Sequence, residues 1–142
     1  MAKNKLIIEY EYDFILYGII SLSKDYRLAW LINKHMGLHL KKEEDIKISF
    51  LNDENLVISN YLHETEHAQL RILKNKSEER KSNKMSYLIP ELNKFDYLIM
   101  KNGRIGDLSD QELFREIQKI KEVQYIVELD IEKLKSKENL IF

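Results

Sequence analysis

The chain has 142 residues, 44% of them hydrophobic, with 23 Lys+Arg against 24 Asp+Glu and no Cys. That length suits a single domain with its own core, and so much apolar content excludes a disordered chain. The lack of Cys excludes disulfides, thiolate metal sites and Cys nucleophiles, and a net charge of −1 argues against a wholly basic nucleic-acid binder.

The apolar run Leu6-Ile7-Ile8 is too short for a signal peptide. No window approaches the roughly eighteen uncharged apolar residues of a membrane span. The expectation is a soluble cytoplasmic protein with no membrane partner. Residues 5–13 alternate with period two, which predicts a half-buried strand. Phe14 to Ser21 is a denser apolar run that suits a buried strand, with a short helix as the alternative. Gly18 within it marks a close backbone approach or a bend.

Ser23 is placed as a helix N-cap. Leu28, Leu31, Ile32 and Met36 then recur at helical spacing, and Gly37 stands where a left-handed C-terminal residue belongs, so a helix is predicted over 24–36. Residues 46–51, 56–62 and 68–73 each read as a strand, with a turn at 52–55 and a hairpin connection at 63–67. Residues 74–84 hold no apolar side chain and predict a solvated loop. Tyr87 to Pro90 and Phe95 to Met100 are further extended runs, and Pro90 belongs at a strand end or edge. Ser109-Asp110-Gln111-Glu112 spells a capping box, with Leu108 and Leu113 as its hydrophobic staple, ahead of a second helix. Val123 to Leu129 returns to strand periodicity, and a charged tail ends at Phe142. The string predicts an α+β class: a largely antiparallel sheet with two main helices packed on it.

His63-Glu64-Thr65-Glu66-His67 matches H-E-x-x-H. In metalloproteases that spacing puts both His on one helical face to bind zinc, with the Glu as general base. Here the five residues lie between two strand-like runs, so a hairpin turn is the expected reading and no metal or other cofactor is assigned. The glycines cannot write a phosphate-binding loop, and Gly103-Arg104-Ile105-Gly106 reads as a plain loop rather than an RNA-clamping GxxG. His35 and His39, around the end of the first helix, suit its negative dipole and read as surface residues. Lys74, Lys76, Arg80, Lys81 and Lys84 offer phosphate contacts, but no aromatic residue is interleaved and a solvated loop is favoured. Trp30 beside Arg27 near the helix start fits a packed core edge first, an interface second.

Ile89-Pro90-Glu91 followed after three residues by Phe95-Asp96-Tyr97 resembles the signature of the bacterial IPExxxVDY family, with Phe95 where the family has Val. Phe14, Leu16, Gly18-Ile19, Asp25-Tyr26-Arg27-Leu28, Asn33, Lys135-Ser136 and Asn139 to Phe142 extend the resemblance along the chain. The family's function is unassigned, so the resemblance carries over no catalytic residue. Asp25, Tyr26, Arg27, Trp30, Asn33, Pro90, Glu91, Asp96 and Tyr97 are the residues to place, as structural or interface positions.

A guanidinium suits bidentate carboxylate contacts, so Arg27 is expected to pair with Glu91 or Asp96 and tie the first helix to the strands. The first functional expectation is a non-catalytic interaction or accessory module with a protein partner or a second copy of itself. Its mark would be an exposed apolar patch at Trp30, Tyr97 or residues 140–142. The alternatives are a small-molecule binder or enzyme with a site near Arg27, Glu91 and Asp96, and an RNA-associated accessory protein using the 74–84 loop.

Overall fold

The computed structural model describes residues 12–50, 55–79 and 85–142. The strand expected over residues 5–13 and the turn at 52–55 thus fall largely outside the described residues. The strands are β1 (Ile15–Ile20), β2 (Lys41–Lys42), β3 (Ile46–Ser49), β4 (Asn55–Ile58), β5 (Asn60–Glu64), β6 (Gln69–Lys74), β7 (Tyr97–Asn102) and β8 (Tyr125–Leu129). The helices are α1 (Asp25–Met36) and α2 (Asp110–Gln118). Six strands form one antiparallel sheet in the order β2-β5-β6-β7-β1-β8, and β3 pairs with β4 in a separate antiparallel hairpin. This is the expected α+β architecture. Among the described residues, no helix is long and apolar enough to cross a membrane.

The central strands are apolar on both faces because both faces are covered. Tyr17, Ile19, Leu70, Ile72, Tyr97 and Ile99 point to the α1 and α2 side, where they meet Leu28, Ile32, Leu113 and Ile117. Leu16, Leu73 and Leu98 point the other way, into a second core with Leu56, Ile58, Ile89, Phe95 and Leu140. Period-two alternation thus feeds two cores, one under the helices and one under the β3–β4 hairpin and the irregular chain around Ile89 and Leu140.

Gly18 pairs with Leu98 on one side and Val127 on the other. A Cβ at this position would lie 2.8 Å from the Phe95 ring, so the expected close approach is a ring seated on bare backbone.

The capping box forms as its sequence spells it. The Glu112 N–H donates to Ser109 Oγ at 3.2 Å, and the Ser109 N–H donates to Glu112 Oε1 at 3.0 Å. Buried Lys101 of β7 pairs with Asp110 in the first turn of α2. Helix α1 ends at Gly37, φ 67°, whose N–H donates to the Asn33 carbonyl at 2.8 Å.

Four expectations are corrected. Lys24, not Ser23, is the N-cap of α1, and no side chain caps it; the Ser23 carbonyl is instead held by Tyr97. The run 56–62 is two strands rather than one. The chain leaves the β3–β4 hairpin at Ser59, whose hydroxyl donates to Asp25 and whose carbonyl accepts the Lys74 N–H. The start of the 74–84 loop is not solvated: Asn75 and Ser77 are buried. Pro90 opens a short 3-10 turn, Pro90–Leu92, instead of ending a strand. Its fixed φ and missing N–H cost nothing at that first position.

Candidate functional site

The ends of β1, β6 and β7 meet the start of α1 at one edge of the sheet. They enclose a cleft of about 390 Å³, with Ser21, Lys24, Lys74, Lys76, Asp96 and Tyr97 among its walls. Its floor is a lattice of hydrogen bonds. The Ser21 N–H donates to Asp96 Oδ2 at 2.9 Å, and Ser21 Oγ donates to the Glu122 carbonyl at 2.7 Å. The Leu22 N–H reaches Gln124 Oε1 at 3.2 Å. The Tyr97 hydroxyl donates to the Ser23 carbonyl at 2.5 Å, and the Ser59 hydroxyl donates to Asp25 Oδ2 at 2.7 Å.

Burial, then the nearby charges of Asp25 and Asp96, push the Tyr97 phenol well above its ordinary value. It is a neutral donor at physiological pH. The two carboxylates accept hydrogen bonds from the chain's own Ser21 N–H and Ser59 hydroxyl. This lattice suits holding the turn between β1 and α1 rather than moving protons.

The expected pairing of Arg27 with Glu91 or Asp96 is overturned. Arg27 Nη2 lies 3.4 Å from Glu122 Oε2, with both groups partly exposed. Glu91 instead accepts the Ser136 N–H at 2.6 Å and the Ser136 hydroxyl at 2.8 Å. Burial works to raise the Glu91 pKa, but these bonds outweigh it and hold the carboxyl below its ordinary value. So Arg27, Glu91 and Asp96 do not converge on one site. Asn33 closes the loop after α1, donating to the Leu40 carbonyl at 3.1 Å and accepting the Leu40 N–H at 2.7 Å.

A fixed turn decides what faces outward. Leu22 is 91% exposed, Tyr26 61% and Trp30 50%. Tyr26 and Trp30 are four residues apart on α1 and so share a face. Arg27 Cζ lies 5.7 Å from the Trp30 ring centroid and Lys34 Nζ lies 4.9 Å from it, both within cation–π range. Of the three places where an apolar patch was expected, Tyr97 is buried. Trp30 is open, as are Ile141 and Phe142.

The H-E-x-x-H residues lie in the β5–β6 hairpin, as expected, and not on a helix. His63 points inward and its Nδ1 accepts the His39 N–H at 3.0 Å, while the His67 side chain is 88% exposed. The two imidazoles are not brought together. His35 lies against Glu116 at 3.2 Å, linking the two helices at the surface. Lys74 pairs with Glu78 at 3.0 Å, and Lys76 stands in an isolated bridge with Tyr87. Arg80, Lys81 and Lys84 lie outside the described residues.

Sequence reasoning missed Asn75. Its amide donates to the carbonyls of Leu92 and Phe95 at 2.9 and 3.1 Å, and its oxygen accepts the Ile89 N–H at 3.0 Å. A polar residue in a polar run carries no signal of such burial. Glu122 and Gln124 were also missed; only the placement of β8 beside β1 brings them to the turn. Comparisons with protein-family models, curated proteins and solved structures gave no match.

Proposed function

We propose that the protein is a non-catalytic interaction module that docks a partner protein on the outer face of α1. The observation that carries this is the exposed pair Tyr26 and Trp30, with Leu22 at the turn before them. Burying such side chains stabilises a complex, and Trp, Tyr and Arg are the residue types most often dominant in interfaces. Arg27 and Lys34 flank the Trp30 ring, and Lys24 stands exposed before the first turn. The complementary partner is an acidic surface with an apolar anchor. The resemblance to the IPExxxVDY family then divides by role. Asp25, Asn33, Glu91, Asp96 and Tyr97 build the support, and Tyr26, Arg27 and Trp30 form the face.

The test is affinity capture from the native cell with the wild-type chain and with Trp30→Ala and Ile141→Ala. A protein held by the wild type and by Ile141→Ala but lost with Trp30→Ala supports the reading. Retention by Trp30→Ala at wild-type strength refutes it. Sedimentation of the purified chain separates a foreign partner from a second copy.

A further inference from the structure

The sheet face turned away from the helices carries a separate feature. Strand β6 sets Arg71 opposite Met100 of β7, on the side of the second core. Arg71 is partly buried, and its Nη1 donates to Asn60 Oδ1 at 2.5 Å. The Phe142 ring covers the guanidinium, with Cζ 5.3 Å from the ring centroid. Among the described residues no carboxylate forms an ion pair with it. A guanidinium carries five N–H donors, and the Asn60 bond uses one.

Arg71 opens onto a cavity of about 320 Å³, lined on its apolar side by Phe14, Met100, Ile141 and Phe142. That volume lies at the lower end of the range for small-molecule pockets, roughly 300–1,000 Å³. We infer that this cavity binds a small carboxylate carried on a compact apolar body. The guanidinium is already partly stripped of water, so a ligand carboxylate gains two parallel N–H···O bonds without meeting the full desolvation cost. The apolar walls take the body of the ligand. Asp13 is the one side-chain carboxylate among the described lining residues. It opposes a dianion and offers a partner to an ammonium group. Two sources share the chemistry: a simple apolar acid, and an apolar amino acid.

The experiment is an amide-resolved NMR titration of the full chain with phenylacetate, phenylacetamide and L-phenylalanine. The expected result is saturable perturbation at Arg71, Met100 and Asn102 with at least one of the two carboxylates, and on the order of tenfold weaker response to the neutral amide. Tighter binding of phenylalanine assigns Asp13 to its ammonium group; tighter binding of phenylacetate assigns a simple acid. Arg71→Lys keeps the charge without the fork and is expected to weaken binding about tenfold. Because Arg71 also supports Asn60, Ile141→Trp is the second variant. It fills the cavity from its exposed wall, leaves the guanidinium in place and is expected to abolish binding. The inference is overturned if no carboxylate perturbs these amides saturably, if the amide binds as well as the acids, or if Ile141→Trp binds like the wild type.

Discussion

Tyr97 of β7 and Ser23 of the β1–α1 turn, 74 residues apart in sequence, are joined by a 2.5 Å hydrogen bond from phenol to backbone carbonyl. The bond fixes where α1 begins, and with it the direction in which Tyr26 and Trp30 face. Tyr97→Phe keeps the buried ring and removes only the donor. It is expected to cost about 1–2 kcal/mol, the loss from a partly buried carbonyl left without its partner. Urea unfolding checks this. Hydrogen exchange should quicken first at the amides of Ser23 and Leu28. The folded-state pKa of Tyr97 is raised, so its contribution is complete below the unfolded value near 10 and is lost as pH rises through the folded value. Tyr97→Phe should therefore also flatten the alkaline limb of the stability curve, and an unchanged limb would refute the role given to this phenol.

Gly18 lets Phe95 lie against β1. A Cβ at Gly18 would come within 2.9 Å of two ring carbons and 3.0 Å of Leu129 Cδ1. The ring is buried and cannot swing aside without opening the second core. Gly18→Ala should destabilise by about 1–3 kcal/mol through overpacking. Phe95→Leu in the same chain should recover part of that loss, because the two sites share one space. Additive losses in the double mutant would show that the contact is not the cause.

Local codes were readable from sequence and long-range partners were not. The capping box at Ser109 and Glu112, the left-handed Gly37 and the hairpin around His63 to His67 each depend on residues within a few positions of one another. The residues around α1 differ. The motif positions Asp25, Arg27, Glu91 and Asp96 stood out, but their partners depend on strand order. With β1 lying between β7 and β8, Glu122 and Gln124 arrive beside the turn and Arg27 takes Glu122. Glu91 is drawn instead to Ser136. Arg71 went unnoticed because one cation in a strand has no pattern; its meaning comes from the cavity it faces.

That change of partner lowers what Arg27 contributes to stability. A buried Arg–carboxylate pair at the helix would have cost about 3–5 kcal/mol to break. The observed pair with Glu122 is partly exposed at 3.4 Å, and such pairs contribute under about 1 kcal/mol. Arg27→Ala should move the unfolding midpoint little while weakening partner binding, most strongly at low salt. A loss of stability as large as that of a buried pair would contradict the geometry.

Asn75 is the most demanding polar residue in the core. Its amide serves the carbonyls of Leu92 and Phe95 and the N–H of Ile89, all buried. Asn75→Ala leaves the Phe95 carbonyl and the Ile89 N–H without partners, while the Leu92 carbonyl keeps the Phe95 N–H. At about 1–3 kcal/mol for each orphaned group, a loss of at least about 2 kcal/mol is expected. Asn75→Asp keeps the acceptor and loses the donors, and should still be destabilising because it buries a charge. Thermal unfolding measures both, and a loss under 1 kcal/mol for the alanine variant would remove Asn75 from its bracing role.

His63 gives the fold an acid-sensitive point. Its Nδ1 accepts the His39 N–H at 3.0 Å and must be unprotonated to do so. Burial first, and the neighbouring His39 second, lower its pKa from the ordinary value. The unfolded chain takes up this proton near pH 6.5, while the folded chain resists until a lower pH. Stability from this residue is thus complete above about 6.5 and is lost as pH falls through the folded value. Unfolding free energies measured from neutral pH downward should drop more steeply for the wild type than for His63→Gln, which cannot charge. His39→Ala removes the repulsion, so the His63 ring should titrate at higher pH by NMR than in the wild type. Parallel stability curves for wild type and His63→Gln would show that the buried imidazole does not carry the acid response.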